Sequence, residues 1–551
     1  MRIKLISSLE KCFLDDDIAL KQEYKSGSCF KNEIFRFGCC YILDEICDNK
    51  RNAVLKVESP IAEYIDVRRV EQIPVQLPVC RLNFDEDYLR TTPGLYPDLL
   101  LPIEKNPRVV LTNTLKSLFV EVDTKGEAQA GVYPITLLFN DADNGEKIAE
   151  VTFRLEIIDA LLPEQELKFT QWFYCDCLMS YYRTKAFDEE HWRIIENFMK
   201  TAVKNGINMI LTPVFTPALD TYVGGERPTV QLVDIAFNEG KYSFNFEKLE
   251  RWITLAKKVG IKYFEMPHLF TQWGAQHAPK IVALVDGEEK RIFGWDTDAV
   301  SQEYSEFLGA FIPQLIAFLK EKGVENQTVF HISDEPSDKQ LEDYKKARAI
   351  VTPLLKGEKI MDALSHYEFY EAGIVENPIP ANNHIEPFLE NNVPDLWTYY
   401  CIGQCKEVSN RFIAMPSYRN RIIGTQMYKF NIKGFLHWGY NFYYNQLSYA
   451  EINPFICSDG EYFAPAGDTY SVYPAPDGTA YESLRIAVFH DALQDMRAFK
   501  LCESLYGKEY VISLMEEGIE PLTFKAYPRN EEYILNLREK INNAVKMKIK
   551  K

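Results

Sequence analysis

From about residue 168 onward, short apolar runs alternate with longer segments whose apolar residues recur every three to four positions. Three of these segments predict amphipathic helices. One follows Asp188 and carries Trp192, Ile195, Phe198, Met199, Ala202 and Val203 on one face. A second starts near Asn245, turns Phe246, Leu249, Trp252, Ile253 and Ala256 inward, and stops at Gly260. The third presents Tyr304, Phe307, Leu308, Phe311, Ile312, Leu315, Ile316 and Leu319 as one stripe. That spacing keeps one helical face apolar, so each should bury against a sheet. Between and after them lie strand candidates at Thr170–Cys175, Asn208–Pro213, Tyr263–His268, Thr328–Asp334, Lys359–Ser365, Pro378–Asn382, Leu396–Cys401 and Gly434–Tyr440. Eight short strands alternating with helices predict a (β/α)8 TIM barrel. The tail from Tyr481 places Leu484, Val488, Ala492 and Met496 on one side, and we expect it to pack as the last barrel helix.

The first 160 residues have a different rhythm. Short β-branched segments recur at Arg108–Asn113, Ser117–Val122, Gly131–Phe139 and Ala149–Ile158, with the turn-forming N-D-A-D-N-G at 140–145 between the last two. This pattern predicts a β-sandwich. The stretch A-L-L-P-E-Q-E-L, 160–167, reads as a linker. The expected organisation is therefore multidomain β and α/β: an N-terminal β-sandwich over 1–160, then a catalytic (β/α)8 barrel with its C-terminal helices over 168–551.

Composition narrows the function. With 62 basic against 80 acidic residues the chain carries a net charge of -18, which argues against a nucleic-acid partner, since phosphate recognition needs clustered Lys and Arg. No apolar run approaches the roughly 18 residues a membrane span requires, so no membrane insertion is expected. The N-terminal M-R-I-K-L-I-S-S-L-E-K-C-F-L-D-D-D is broken by charge, and we expect no signal peptide, a cytoplasmic location and a bacterial origin. The 12 cysteines are scattered. Cys39-Cys40 and Cys175-x-Cys177 are too close for ordinary bridges, and Cys401 and Cys405 lack histidines at zinc-site spacing, so reduced thiols are expected. The 32 Tyr, 34 Phe and 7 Trp mostly serve packing, yet the same rings suit the C–H faces of sugars.

The stretch F-H-I-S-D-E-P-S, 330–337, is the chemical focus. An apolar run ends on two adjacent carboxylates, Asp334 and Glu335. Ser337 and Gln340 have capping-box spacing and would open the helix that carries Leu341, Tyr344 and Ala347. The carboxylates then stand between a strand's end and a helix's start, on the face where barrel active sites are built. The plainer reading, that they cap the helix or meet an arginine, is weakened because Ser337 already supplies a cap. Other strand ends add polar and aromatic groups: Trp172, Tyr174 and Asp176; His268, Gln272 and Trp273; Asp362, His366 and Tyr367; Trp397, Tyr399 and Tyr400; His437, Trp438, Tyr440 and Asn441. Any one of these is as well read as core. Together they offer what a sugar pocket needs, rings to stack and carboxylates for acid/base work.

The S-D-E-P strand end, the F-L-H-W-G-Y-N strand, and G-D-T-Y-S-V-Y-P at 467–474 followed by S-L-R at 483–485 resemble glycoside hydrolase family 123, the β-N-acetylgalactosaminidases. The resemblance implies a retaining exo-enzyme without cofactor or metal. It would release terminal β-linked GalNAc from glycosphingolipids or glycans, with the substrate's own 2-acetamido group as nucleophile. Asp334 would then orient that group and stabilise its developing charge. Glu335 would act as general acid/base, and a charged Asp334 beside it discourages it from ionising. Trp172, His268, Asp362, Trp397, Tyr399, Trp438, Tyr440, Asp468 and Tyr473 are the candidate substrate contacts, with His268, Asp468 and Tyr473 candidates for the axial 4-hydroxyl. Alternatives remain open: a double displacement with Asp362 or Asp468 as nucleophile, a metal-dependent hydrolase using His268, His331, Asp334 and His437, or a non-catalytic sugar binder.

Overall fold

The computed structural model describes residues 1–44, 51–81, 83–272, 274–335 and 338–550. Trp273 and the proposed Ser337 cap lie outside the described residues. The N-terminal region holds two five-stranded sheets face to face. One runs Arg2–Ser7, Ile34–Ile42, Lys116–Asp123, Ile65–Val75, Gly94–Pro102, all antiparallel. The other runs Ser26–Phe30, Lys147–Ile158, Gly131–Asp141, Arg51–Glu58, Arg108–Leu111, with Ser26–Phe30 joined in parallel and the rest antiparallel. The strands alternate, so one face of each sheet is apolar and the two faces bury each other. Phe37, Leu118 and Val120 meet Phe153, Leu155, Ile135 and Leu137 there, and Phe37 stacks on Phe153 at 4.2 Å. Six of these strands, those before Arg108, were not named by the sequence pattern.

The C-terminal region carries a curled parallel sheet of half-barrel form. Its seven strands lie in the order Lys359–Ile360, Thr328–Phe330, Tyr263–Glu265, Met209–Leu211, Lys168–Gln171, Gly434–His437, Trp397–Tyr399. Asp362–Ala363 and Pro378–Ile379 form a second parallel ladder, and Ala381 bridges Tyr399 in parallel. Strands therefore occur at all eight positions the apolar runs marked. The helices between them form where the stripes predicted. Glu189–Lys204 is capped by Asp188, which accepts from His191 N at 2.8 Å, and Glu247–Val259 ends at Gly260 with φ 111°. That left-handed cap is one an L side chain resists. A four-stranded sheet of Lys241–Asn245, Asp234–Asn238, Ile281–Val285 and Glu288–Phe293 is inserted in the loops after Met209–Leu211 and Tyr263–Glu265, and no sequence signal announced it. No described helix is long and apolar enough to cross a membrane.

Leu484–Tyr506 is buried on almost every side rather than on one stripe. It packs between the helices Ser417–Lys429 and Glu531–Ile549 and against the sandwich strand Gly94–Pro102. Its polar residues therefore need internal partners. Arg485 meets Asp98 at 2.8 Å, and Asp491 meets Arg36 at 2.6 Å. Glu121 of the sandwich binds Arg36 at 2.9 Å, Arg68 at 2.7 Å and Lys204 at 2.8 Å. A buried charge left alone is costly, so this network fixes how the sandwich sits on the helices. The two regions are also joined covalently. Cys80 and Cys405 form a disulfide, which corrects the expectation of reduced thiols throughout; the other described cysteines are free.

Candidate active site

A cavity of about 490 Å³ opens at the carboxyl ends of the parallel strands. Trp172, Asp334, Glu335, Tyr399 and Trp438 line it from strand ends; Asp220, Gln272, His366, His384, Gln404, Gln446 and Phe463 line it from loops. Asp334 is half-buried and Glu335 exposed to the cavity. Glu335 has φ 40°, a left-handed conformation rare for a side chain with a Cβ and found mostly where a site over-determines it. Tyr399 Oη donates to Glu335 Oε1. Burial and the neighbouring Glu335 push the Asp334 carboxyl well above the usual range, while His331 pulls it back. These surroundings favour a proton on Asp334, a different bias from the charged Asp334 that the resemblance implied.

Beneath the pair lies a buried polar cluster. Glu265 accepts from Thr170 Oγ1, Trp172 Nε1 and His331 Nε2, each at 2.7 Å. Thr170 lies on the strand Lys168–Gln171 and Trp172 directly after its end, and both side chains reach the same carboxylate. Asp362 Oδ1 lies 3.7 Å from His331 Nδ1 and accepts from Ile332 N at 2.9 Å, while Oδ2 accepts from Tyr344 Oη at 2.6 Å. Burial alone would drive the His331 imidazole down, but Asp362 and Glu265 outweigh it and raise it to about 10, so it is an imidazolium at neutral pH. His268 stacks on it at 4.8 Å and is held neutral, first by burial and then by the His331 charge. His268, His331 and Asp362 also bring one donor atom each within 4.8 Å, as a metal site would. Here His331 Nε2 is engaged by Glu265 and both oxygens of Asp362 accept hydrogen bonds, while Nδ1 of His331 and Nδ1 of His268 are buried without a hydrogen-bond partner among the described residues. His437, the further ligand a metal reading would need, sits elsewhere, beside Arg411 and Asp468.

Trp438 forms the opposite wall. Its Nε1 donates to Asp468 Oδ2 at 2.7 Å, and Asp468 Oδ1 lies 3.3 Å from His437 Nε2. Buried Arg411 donates to Gln171 Oε1 at 2.6 Å, to the Asp468 carbonyl at 3.0 Å and to His437 Nδ1 at 2.9 Å. Burial and this guanidinium hold His437 down to about 4, so it is neutral and can accept. Arg411 sits in a loop without a motif, and nothing in its sequence neighbourhood marked it. Asp220, a third carboxylate in the cavity lining, was also missed by the sequence reading. Burial pushes it up to about 6 against the pull of Leu447 N and Arg227.

Of the nine candidate substrate contacts, Trp172, Tyr399 and Trp438 line the cavity. The other six lie behind or away from its described lining, each with an internal partner. His268 stacks on His331, and Asp362 anchors the same cluster. Asp468 stands behind Trp438. Trp397 covers Gly434 so closely that a Cβ there would fall 2.1 Å from the indole, which is why that position is glycine. Tyr440 Oη donates to the Phe198 carbonyl at 2.9 Å, and Tyr473 Oη donates to Asp98 of the sandwich. These six were expected to contact the sugar, and the structure places none of them in the described lining of this cavity.

The description "Glycoside hydrolase 123, catalytic domain" matches residues 172–502, a span that contains the Asp334–Glu335 pair, Tyr399 and Trp438. The chain superposes over its full length on 97% of a family 123 glycoside hydrolase from Clostridium perfringens, described for glycolipid glycan hydrolysis, with TM-score 0.73 at 14% identity. A family 39 glycoside hydrolase from the gut symbiont Bacteroides cellulosilyticus WH2 aligns with 86% of this chain and 81% of its own, at 12% identity and TM-score 0.33. No curated protein matches the chain. The family match covers more than half of the sequence and every residue that lines the cavity, and the chain belongs to glycoside hydrolase family 123.

Proposed function

We propose that this chain is a retaining exo-β-N-acetylgalactosaminidase that releases terminal β-linked GalNAc from glycolipid or other glycans by substrate-assisted catalysis. The parallel strands are read with it as one (β/α)8 barrel, the Ala381–Tyr399 bridge joining the short ladder to the sheet. One observation carries the mechanism. Among the described residues the cavity's carboxylates are Asp334, Glu335 and Asp220, and neither Asp362 nor Asp468 reaches it. A double displacement needs its nucleophile roughly 5–5.5 Å across the sugar from the acid. Asp362 and Asp468, the nucleophiles expected for a displacement, are instead tied up in ion-pair and indole contacts. Adjacent Asp334 and Glu335 suit the other route.

In that route the acetamido oxygen attacks the anomeric carbon as the bond to the leaving oxygen breaks, and Glu335 gives that oxygen its proton. Asp334 accepts from the acetamido N–H. A hydrogen bond to the charged form favours that form, so substrate binding offsets the burial that holds Asp334 protonated. The pair shares its proton, and the substrate draws it toward Glu335, where the acid is needed. Glu335 then takes a proton from water as its oxygen adds to the anomeric carbon and the oxazolinium ring opens.

The test is a panel of aryl β-glycosides. GalNAc glycosides should turn over, whereas galactosides with a plain 2-hydroxyl should not, because they lack the nucleophile. A covalent sugar trapped on any carboxylate by a fluorosugar, seen by mass spectrometry, would replace this mechanism with double displacement.

A further inference from the structure

We propose that Tyr449, backed by Tyr222, is the platform for the first sugar on the leaving-group side of the scissile bond; this rests on the glycosidase reading above. Tyr449 is 64% exposed, yet its ring lies flat on Tyr222 at 4.4 Å with 11° between planes. One face is covered by Tyr222 and the other is open to solvent. An isolated exposed aromatic needs no explanation. This one is held by a built device at the cavity's lip.

Tyr222 belongs to the loop after Met209–Leu211, and Tyr449 to the loop after Gly434–His437. The two loops are joined by hydrogen bonds from residues next to both rings. Tyr222 N donates to the Leu447 carbonyl at 3.0 Å, Leu447 N to Asp220 Oδ2 at 3.0 Å, and Ser448 Oγ to the Asp220 carbonyl at 2.6 Å. Asp220 and Gln446 both line the cavity, so the latch is continuous with the sugar pocket. Leu447 and Ser448 have φ of 57° and 56°. Two successive non-glycine residues in the left-handed region are costly, and such strain persists where surrounding contacts enforce it, commonly at ligand clamps. Here the strained pair delivers Tyr449 onto Tyr222. A rigid ring with one open face, beside a pocket for a terminal sugar, fits the apolar C–H face of the next pyranose.

The experiment compares kcat/KM for two substrates of the same terminal GalNAc. One is a disaccharide with a β-linked pyranose as leaving group; the other is the glycosyl azide, whose leaving group is too small to reach the rings. In Tyr449→Ala the disaccharide-to-azide ratio should fall roughly three- to tenfold, the scale of one lost ring contact. Tyr449→Phe and Tyr449→Trp should keep the wild-type ratio. An unchanged ratio in Tyr449→Ala, or an equal fall in Tyr449→Phe, overturns the platform while leaving the GalNAc reading intact. A wild-type protein that cleaves neither substrate overturns both.

Discussion

Replacing His331 with glutamine tests the charge beneath the Asp334–Glu335 pair. The imidazole is 2% exposed, with Nε2 2.7 Å from Glu265 and Nδ1 3.7 Å from Asp362. Glutamine can still donate to Glu265 but carries no charge. The gap between an ordinary imidazole near 6.5 and about 10 here corresponds to at most ~5 kcal/mol. Removing one partner from a buried ion pair costs about 3–5 kcal/mol, the same order. The sign follows from which state binds the proton more tightly. The folded chain does, so the stabilisation is complete below pH 6.5 and is lost as pH rises through about 10. Unfolding of wild type and His331→Gln should therefore differ by ~4 kcal/mol near pH 7 and by under ~1 kcal/mol near pH 10. A gap that stays constant over that range would mean that His331 is neutral and contributes only a hydrogen bond. Kinetics supply a second readout. His331 is the cation that draws Asp334 back toward ionisation, so in the variant the acid limb of kcat/KM should move to higher pH.

Glu335→Gln should lose roughly 10²–10⁴-fold on sugar leaving groups and less on activated aryl ones, since protonation matters most for poor leaving groups; equal losses across the series would remove Glu335 as the acid. Tyr399→Phe deletes the donor to Glu335 and should cost about tenfold in kcat/KM, the scale of a hydrogen bond to a charged group; unchanged kinetics would leave Tyr399 a mere wall. Cys405→Ser frees a link between residues 325 apart in sequence, beside the wall residues Ile402 and Gln404. Its unfolding free energy should fall, by up to ~5 kcal/mol from loop-closure entropy, and wild type under reductant should match it; a stability indifferent to reductant would show that the bond does not form.

The alternation of short apolar runs with helical stripes was enough to mark the parallel strands, because in such a sheet every strand is buried on both faces. The residues at their ends were harder. Sequence reveals that a strand end is rich in Asp, Trp and Tyr, but not how deep each residue lies. On Trp397–Tyr399, residues 397 and 399 share a face, yet the first fills the interior over Gly434 and only the second reaches the cavity. Asp362 is low in the same sense: the cavity lining begins one residue later, at Ala363, and the carboxylate faces His331 instead. Tyr440 lies past a strand end and Tyr473 within the short strand Val472–Pro474, and their hydroxyls reach a helix and the sandwich respectively. Arg411, the inserted four-stranded sheet and the Cys80–Cys405 bridge are long-range or loop features, for which local periodicity carries no signal.

Depth also explains how two neighbouring carboxylates are tolerated. Asp334 and Glu335 repel each other, and a regular strand would send them to opposite faces, one of them into apolar packing. The backbone instead turns left-handed at Glu335, so Glu335 faces the cavity while Asp334 stays half-buried above the His331 imidazolium. Their environments then differ in kind: Asp334 feels burial and the cation below, Glu335 feels solvent and the Tyr399 hydroxyl. Two carboxyl groups with different surroundings can hold one proton between them and yield it in a set direction when a substrate amide supplies the missing donor. The strand end on which the apolar run breaks off is thus a site where the charge of His331, the hydroxyl of Tyr399 and the strain at residue 335 each hold one part of the pair in place.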